Sequence, residues 1–151
     1  MKVTVLLKND HDSLKALFNK FKKLSGARAQ EKRDLFDEIR RELQIQFQME
    51  QEIFYDALTG TPSTRAAELV SQAEEQHRRA EELIQELSGV NGTEKNFDSK
   101  MTVLIDEVIR HIDMEEEEIF DEARKNLPEY RLEELGLEME DRRKILLTLA
   151  A

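Results

Sequence analysis

Apolar positions along the 151-residue chain recur at spacings of three and four rather than two, the period of helices with one buried face. Leu7, His11, Leu14, Phe18 and Phe21 form one stripe, and Phe36, Ile39, Leu43, Gln46, Glu50 and Phe54 form a second. A third runs through Val70, Ala73, His77, Ala80, Ile84 and Leu87, and a fourth through Phe97, Met101, Leu104, Val108, His111, Glu115 and Ile119. Helix breakers separate the stripes: Ser25-Gly26, TGTPS at 59–63, SGVNG at 88–92, and Pro128. The pattern predicts four helices of bundle length and a short fifth. Short turns make consecutive helices antiparallel, so the expected fold is all-α, an up-down-up-down four-helix bundle over residues 1–126. Residues 127–151, with Leu135, Met139, Arg142, Leu146 and Leu149 on one stripe, are expected to dock on the bundle or on a second subunit as an oligomer contact.

The four stripes are not wholly apolar. All three histidines lie on them, with Gln46, Glu50 and Glu115. At about 1.5 Å of rise per residue, His11 and His77 lie shortly after their helices begin. Gln46 with Glu50, and His111 with Glu115, lie shortly before theirs end, so all six converge on one layer. A repeat supports this: QFQMEQEIFY at 46–55 aligns with HIDMEEEEIF at 111–120, matching Met49 with Met114, Glu50 with Glu115 and Glu52 with Glu117. Tyr55 pairs with the aromatic Phe120, but Gln46 stands opposite His111. His11 precedes Gln46 by 35 residues and His77 precedes His111 by 34, so two similar hairpins are expected to face each other across a pseudo-twofold axis.

Two buried carboxylates in one layer repel each other and are costly unless paired, and no Lys or Arg lies on these stripes to neutralise them. A divalent cation resolves the conflict. With no cysteine, its donors are nitrogen and oxygen, a set suited to iron, manganese or zinc. The formal charge of −10 repels a phosphate backbone, so no nucleic-acid partner is expected. The longest apolar runs, VTVLL and ILLTLAA, are too short to span a bilayer and no signal-peptide core is evident, so the expectation is a soluble cytoplasmic protein without a membrane partner. The EEEE run at 115–118 is a solvated face on which only Glu115 shares the phase of His111, while Glu118 is near enough to support a ligand from behind. Glu74-x-x-His77 imitates the element of ferritin-like carboxylate proteins, which need it twice. No serine triad or glycine-rich phosphate loop points to a metabolic enzyme.

The order His11, then Glu50, then His77, then His111-x-x-x-Glu115, one element to each helix, resembles the hemerythrin-like HHE cation-binding domains over roughly residues 1–125. The resemblance implies a non-haem di-iron centre, two iron ions with an oxo or hydroxo bridge. It makes His11, His77 and His111 terminal ligands, and Glu50 and Glu115 the bridges. It further implies that the protein binds or reacts with dioxygen, peroxide or nitric oxide, in redox or oxygen sensing, storage or detoxification, with peroxide decomposition as the enzymatic form. The pocket would be lined by residues such as Leu14, Leu43 and Leu104. Two departures stand out: Gln46 replaces the second-helix histidine, and Ala73 stands where oxygen-carrying hemerythrins have a further one. An amide oxygen is a poorer donor than imidazole, so the ion beside His11 should be the weaker, with an open position at Gln46. Alternatives are a mononuclear or other-metal site, a metal-free helical interaction module, or Tyr55 as substitute oxygen ligand. Five residues beyond Glu50, however, Tyr55 lies about 140° around an ideal α-helix.

Overall fold

The computed structural model describes residues 1–24, 28–90 and 95–150, and all regular structure among them is helical. α1 spans Val3–Lys23. α2 is α-helical over Ala29–Met49, becomes a π-helix over Glu50–Tyr55 and returns to α over Asp56–Thr59. α3 spans Thr64–Ser88. α4 repeats the pattern of α2: α over Lys95–Met114, π over Glu115–Ile119, α over Phe120–Asn126. α5 spans Glu129–Ala150.

The breakers act where the sequence places them. Thr61 Oγ1 donates to the Leu58 carbonyl at 2.7 Å to close α2, and Ser63 Oγ accepts from the Ala66 amide at 3.0 Å to open α3. Leu127, held extended by the proline that follows, ends α4. The expected turn at Ser25-Gly26 and the Asn91-Gly92 part of the next lie outside the described residues.

The core divides into two apolar clusters. One holds Leu7, Met49, Phe54, Leu58, Leu69, Ile119 and Phe120; the other holds Leu14, Phe18, Phe36, Leu43, Ile84, Phe97 and Leu104. Polar residues of the stripes mark the passage from one to the other: His11 between Leu7 and Leu14, Gln46 between Leu43 and Met49, His77 between Ala73 and Ala80, and Glu115 between Ile112 and Ile119. Both clusters shield that layer from water.

The fifth helix is not short. At 22 residues it is longer than α1, at 21, and it docks on the bundle against α1 and α2 through Leu132, Leu135, Met139 and Leu146. Leu149, placed on the same stripe by its spacing, is 75% exposed. The first residues of the chain cross α5 at Gly136, where any Cβ would fall 1.8 Å from the Met1 carbonyl oxygen. Arg142 holds Glu52 at 2.8 Å, and Arg143 pairs with Asp10. Among the described residues no helix is long and apolar enough to cross a membrane.

Candidate metal centre

All six residues singled out by the sequence are buried: His11, Glu50 and Glu115 fully, His77 and His111 at 2% exposure and Gln46 at 3%. The five histidines and glutamates among them form two donor sets, Glu50 with His77 and His111, and His11 with Glu50 and Glu115, each with its ligand atoms within 4.8 Å of one another; Gln46 is in neither set. Glu50 belongs to both. His77 Nε2 and His111 Nε2 are 3.1 Å apart, and His11 Nε2 is 3.2 Å from Glu115 Oε1.

Hydrogen bonds from outside the layer orient the rings. Glu116 Oε2 lies 2.6 Å from His11 Nδ1, Gln76 Oε1 lies 2.7 Å from His111 Nδ1, and the Gln51 amide lies 3.2 Å from His77 Nδ1. Each ring thus turns its Nε2 inward; Glu116 and the Gln76 carbonyl accept from Nδ1 of His11 and His111, as the partners of metal-binding histidines do, while the Gln51 amide nitrogen donates to Nδ1 of His77. Phe47 stacks on His77 with centroids 3.9 Å apart, and Phe120 stacks on His11 at 6.1 Å. Glu118 does not play the supporting part expected of it; it is exposed and paired with Arg65 at 2.8 Å, and Glu116 serves instead. The signal for these partners was in the repeat. Gln51 and Glu116 each follow a seam glutamate, and each reaches the histidine of an early-helix position.

The π-turns change the reading of Tyr55. A π-turn closes between residues i and i+5, so it stacks Tyr55 over Glu50 instead of leaving it on the far side of an α-helix. The phenol donates toward Glu50 Oε2 at 2.8 Å and makes a short contact with Glu115 Oε2, with His111 Nε2 at 3.5 Å. Tyr55 therefore reaches Glu50, Glu115 and His111 inside the layer, which the α-helical phase had counted against. At the matching place in the other half stands Phe120, which has no donor atom. Ala73 is a fully buried core residue, as are Leu14, Leu43 and Leu104.

The ionisation of the layer follows from burial and crowding. Burial, with Glu115 adding to it, pushes Glu50 up to about 8. Burial acts on Glu115 in the same sense, yet the close approach of Glu50, His11 and His111 holds it well below the carboxylate range. His111 is pushed up to about 10, its burial outweighed by Glu115 and Glu50, while burial and the neighbouring His111 push His77 down to about 3. Burial, followed by the charges of Glu115 and Glu50, keeps the Tyr55 phenol well above its ordinary value.

Among the described residues, four atoms of these side chains have no hydrogen-bond partner: His11 Nε2, Gln46 Oε1, Glu50 Oε1 and Glu115 Oε1. Three are oxygens with lone pairs and the fourth is the inward nitrogen of an imidazole. Stranding such acceptors costs about 1–3 kcal/mol each, and a cation between them removes that cost. Nitrogen and carboxylate donors in this number fit a divalent transition metal.

The sequence model of the "Hemerythrin HHE cation binding domain" family matches residues 3–123. The crystal structure of a hemerythrin HHE cation binding domain-containing protein from Mycobacterium kansasii superposes with a TM-score of 0.83 at 25% identity, covering 97% of this chain and 87% of that one. No curated protein matches significantly.

Proposed function

Because this chain belongs to the hemerythrin HHE cation-binding domain family, we propose that its buried layer is a non-haem di-iron centre that binds or reacts with dioxygen, peroxide or nitric oxide. The observation that carries this reading is the pair of donor sets sharing Glu50, with stranded acceptors on both sides of it. His77, His111 and Glu50 would hold one ion, with Tyr55 beside them. His11, Glu115 and Glu50 would hold the other, and Gln46 would stand at its corner. A pair of irons supplies two electrons to a bound oxidant. The protein's own part is to orient three imidazoles through Glu116, Gln76 and Gln51, to exclude water with Phe47 and Phe120, and to keep a proton on Tyr55 between the two carboxylates. The weak amide at Gln46 would bind a metal poorly and so would leave room there for a small molecule. Such a centre serves sensing, storage or detoxification, and turnover of peroxide would be its catalytic form.

The contrast between Tyr55 and Phe120 favours a second reading, a single ion on the His77 and His111 half. Iron per chain after expression in iron-replete medium, read with the ultraviolet-visible spectrum, separates them. Two ions with the near-ultraviolet absorption of a bridged ferric pair support the first reading, and one ion the second. Metal-free protein sinks both.

A further inference from the structure

His11, Glu50 and Glu115 have no exposed surface, so an incoming cation has to pass through the wall of the bundle. Among the described residues, cavities lie beside His77, Tyr55 and Gln46, and the first two meet groups already engaged. The one at His77 meets a ring stacked on Phe47 with its Nδ1 beside Gln51. The one at Tyr55 meets a phenol bound to both glutamates. The third differs. It lies between α1, α2 and α5, has a volume of about 260 Å³, and is lined by Asp10, Glu38, Arg41, Glu42, Gln46 and Arg143 among others. Gln46 is 3% exposed, and its Oε1 has no hydrogen-bond partner. A carbonyl oxygen only accepts, so it calls for a cation or a proton donor and repels an anion. Three carboxylates face two guanidinium groups in this cavity, and one of the guanidiniums, Arg143, is committed to Asp10.

We propose that this cavity is the route by which a hydrated divalent cation enters the centre. The step is ligand exchange: water on the cation is replaced first by the Glu42 and Asp10 carboxylates, then by the Gln46 amide oxygen, then by His11, Glu50 and Glu115. Arg143 is the gate, because its bond to Asp10 has to yield before Asp10 can receive a cation. A glutamine suits the threshold position. Its oxygen gives a passing ion a partner in a buried place but binds too weakly to keep it, whereas an imidazole there would retain it. Leu147, on the last turns of α5, also lines the cavity, where a larger side chain would narrow it.

The inference rests on the metal-binding reading, and its test separates the two. Metal-free protein is mixed rapidly with zinc(II), uptake is followed with an indicator dye, and zinc per chain is measured at equilibrium. Glu42→Gln should slow uptake by roughly three- to tenfold, a share of the rate that charged clefts contribute by focusing ions. Leu147→Trp should slow it comparably by narrowing the passage. Arg143→Ala should speed it, and Arg143→Lys should restore the original rate. None of the four touches the donor sets, so final zinc content should stay unchanged. Glu74→Gln, in the cavity at His77, should leave the rate unaltered. Uptake at the original rate in Glu42→Gln, Arg143→Ala and Leu147→Trp overturns the route and leaves the metal site standing. So does slowing confined to Glu74→Gln. Altered final zinc content in Glu42→Gln also overturns it, by making Glu42 a ligand. Failure of the unaltered protein to take up zinc overturns both readings.

Discussion

Gln76 and Asp10 occupy equivalent places in the two halves of the chain, each immediately before a histidine of the buried layer, yet they are used differently. Gln76 accepts from Nδ1 of His111 at 2.7 Å. Asp10 lines the same cavity as residue 46, the counterpart of His111, but a glutamine stands there and Asp10 is paired with Arg143. Gln46→His should therefore find a supporting acceptor in place. It substitutes imidazole for a weak amide donor on the poorer half and should raise metal content toward two ions per chain, while removing the exchangeable position and with it any peroxide reactivity. Metal analysis alongside peroxide consumption checks this, and a rise in both together would show that Gln46 is not the open corner. Tyr55→Phe probes the other half. It removes the one hydroxyl shared by Glu50 and Glu115, stranding further carboxylate oxygens, so the metal-free protein should lose about 1–3 kcal/mol in denaturant unfolding. Undiminished stability would mean that the phenol is not the donor that holds the two glutamates together.

The two π-turns are where the sequence is hardest to read. The stripes on α1 to α4 are legible because buried residues keep a 3.6 period for five turns, and that period marked an all-α bundle and the six polar residues buried in it. It failed for Tyr55 and for Glu118 because both lie within π-turns, where one additional residue resets the phase and nothing in the composition of EQEIFY or EEEEI announces it. It misjudged α5 for a different reason. Leu137 and Ile145 are exposed opposite the buried Leu135, Met139 and Leu146, so that helix has no clean apolar face from which to read its extent. A π-turn that houses one extra residue should tolerate losing it. Deleting the exposed Glu117 should return the segment to α geometry with Glu115 and Phe120 still facing inward, at a cost near 1 kcal/mol, or about 2–4 °C in melting temperature for a chain of this size. Deleting the equally exposed Arg110, in the α portion of the same helix, turns His111 and Glu115 by about 100° relative to the preceding core and should abolish cooperative unfolding. Equal damage from the two deletions, in thermal unfolding followed by circular dichroism, would show that the turn stores no extra residue.

At the scale of the whole molecule, the layer joins four helices through groups whose charge depends on pH, so fold stability and cation binding should respond to pH in opposite directions. In the metal-free protein Glu50 is raised to about 8 and His111 to about 10. A raised folded-state value contributes stability that is complete below the unfolded value and is lost as pH climbs through the folded one, so both contributions fade between roughly pH 5 and 10. His77, lowered to about 3, works the other way: its contribution is present above about 6.5 and is lost only as pH falls toward 3. The depressed Glu115 likewise matters only on the acid side. From pH 6 upward the metal-free protein should therefore become steadily less stable. Cation binding has to expel the protons on Glu50 and His111, so affinity should rise over the same interval and the loaded protein should hold its stability. Chelation should lower the melting temperature only slightly at pH 6 and by several degrees at pH 8.5, each kcal/mol corresponding to about 2–4 °C. Paired melts of zinc-loaded and chelated protein at pH 6, 7 and 8.5 measure that gap directly. A gap that narrows as pH rises would mean that protons on Glu50 and His111 do not stand in for the cation.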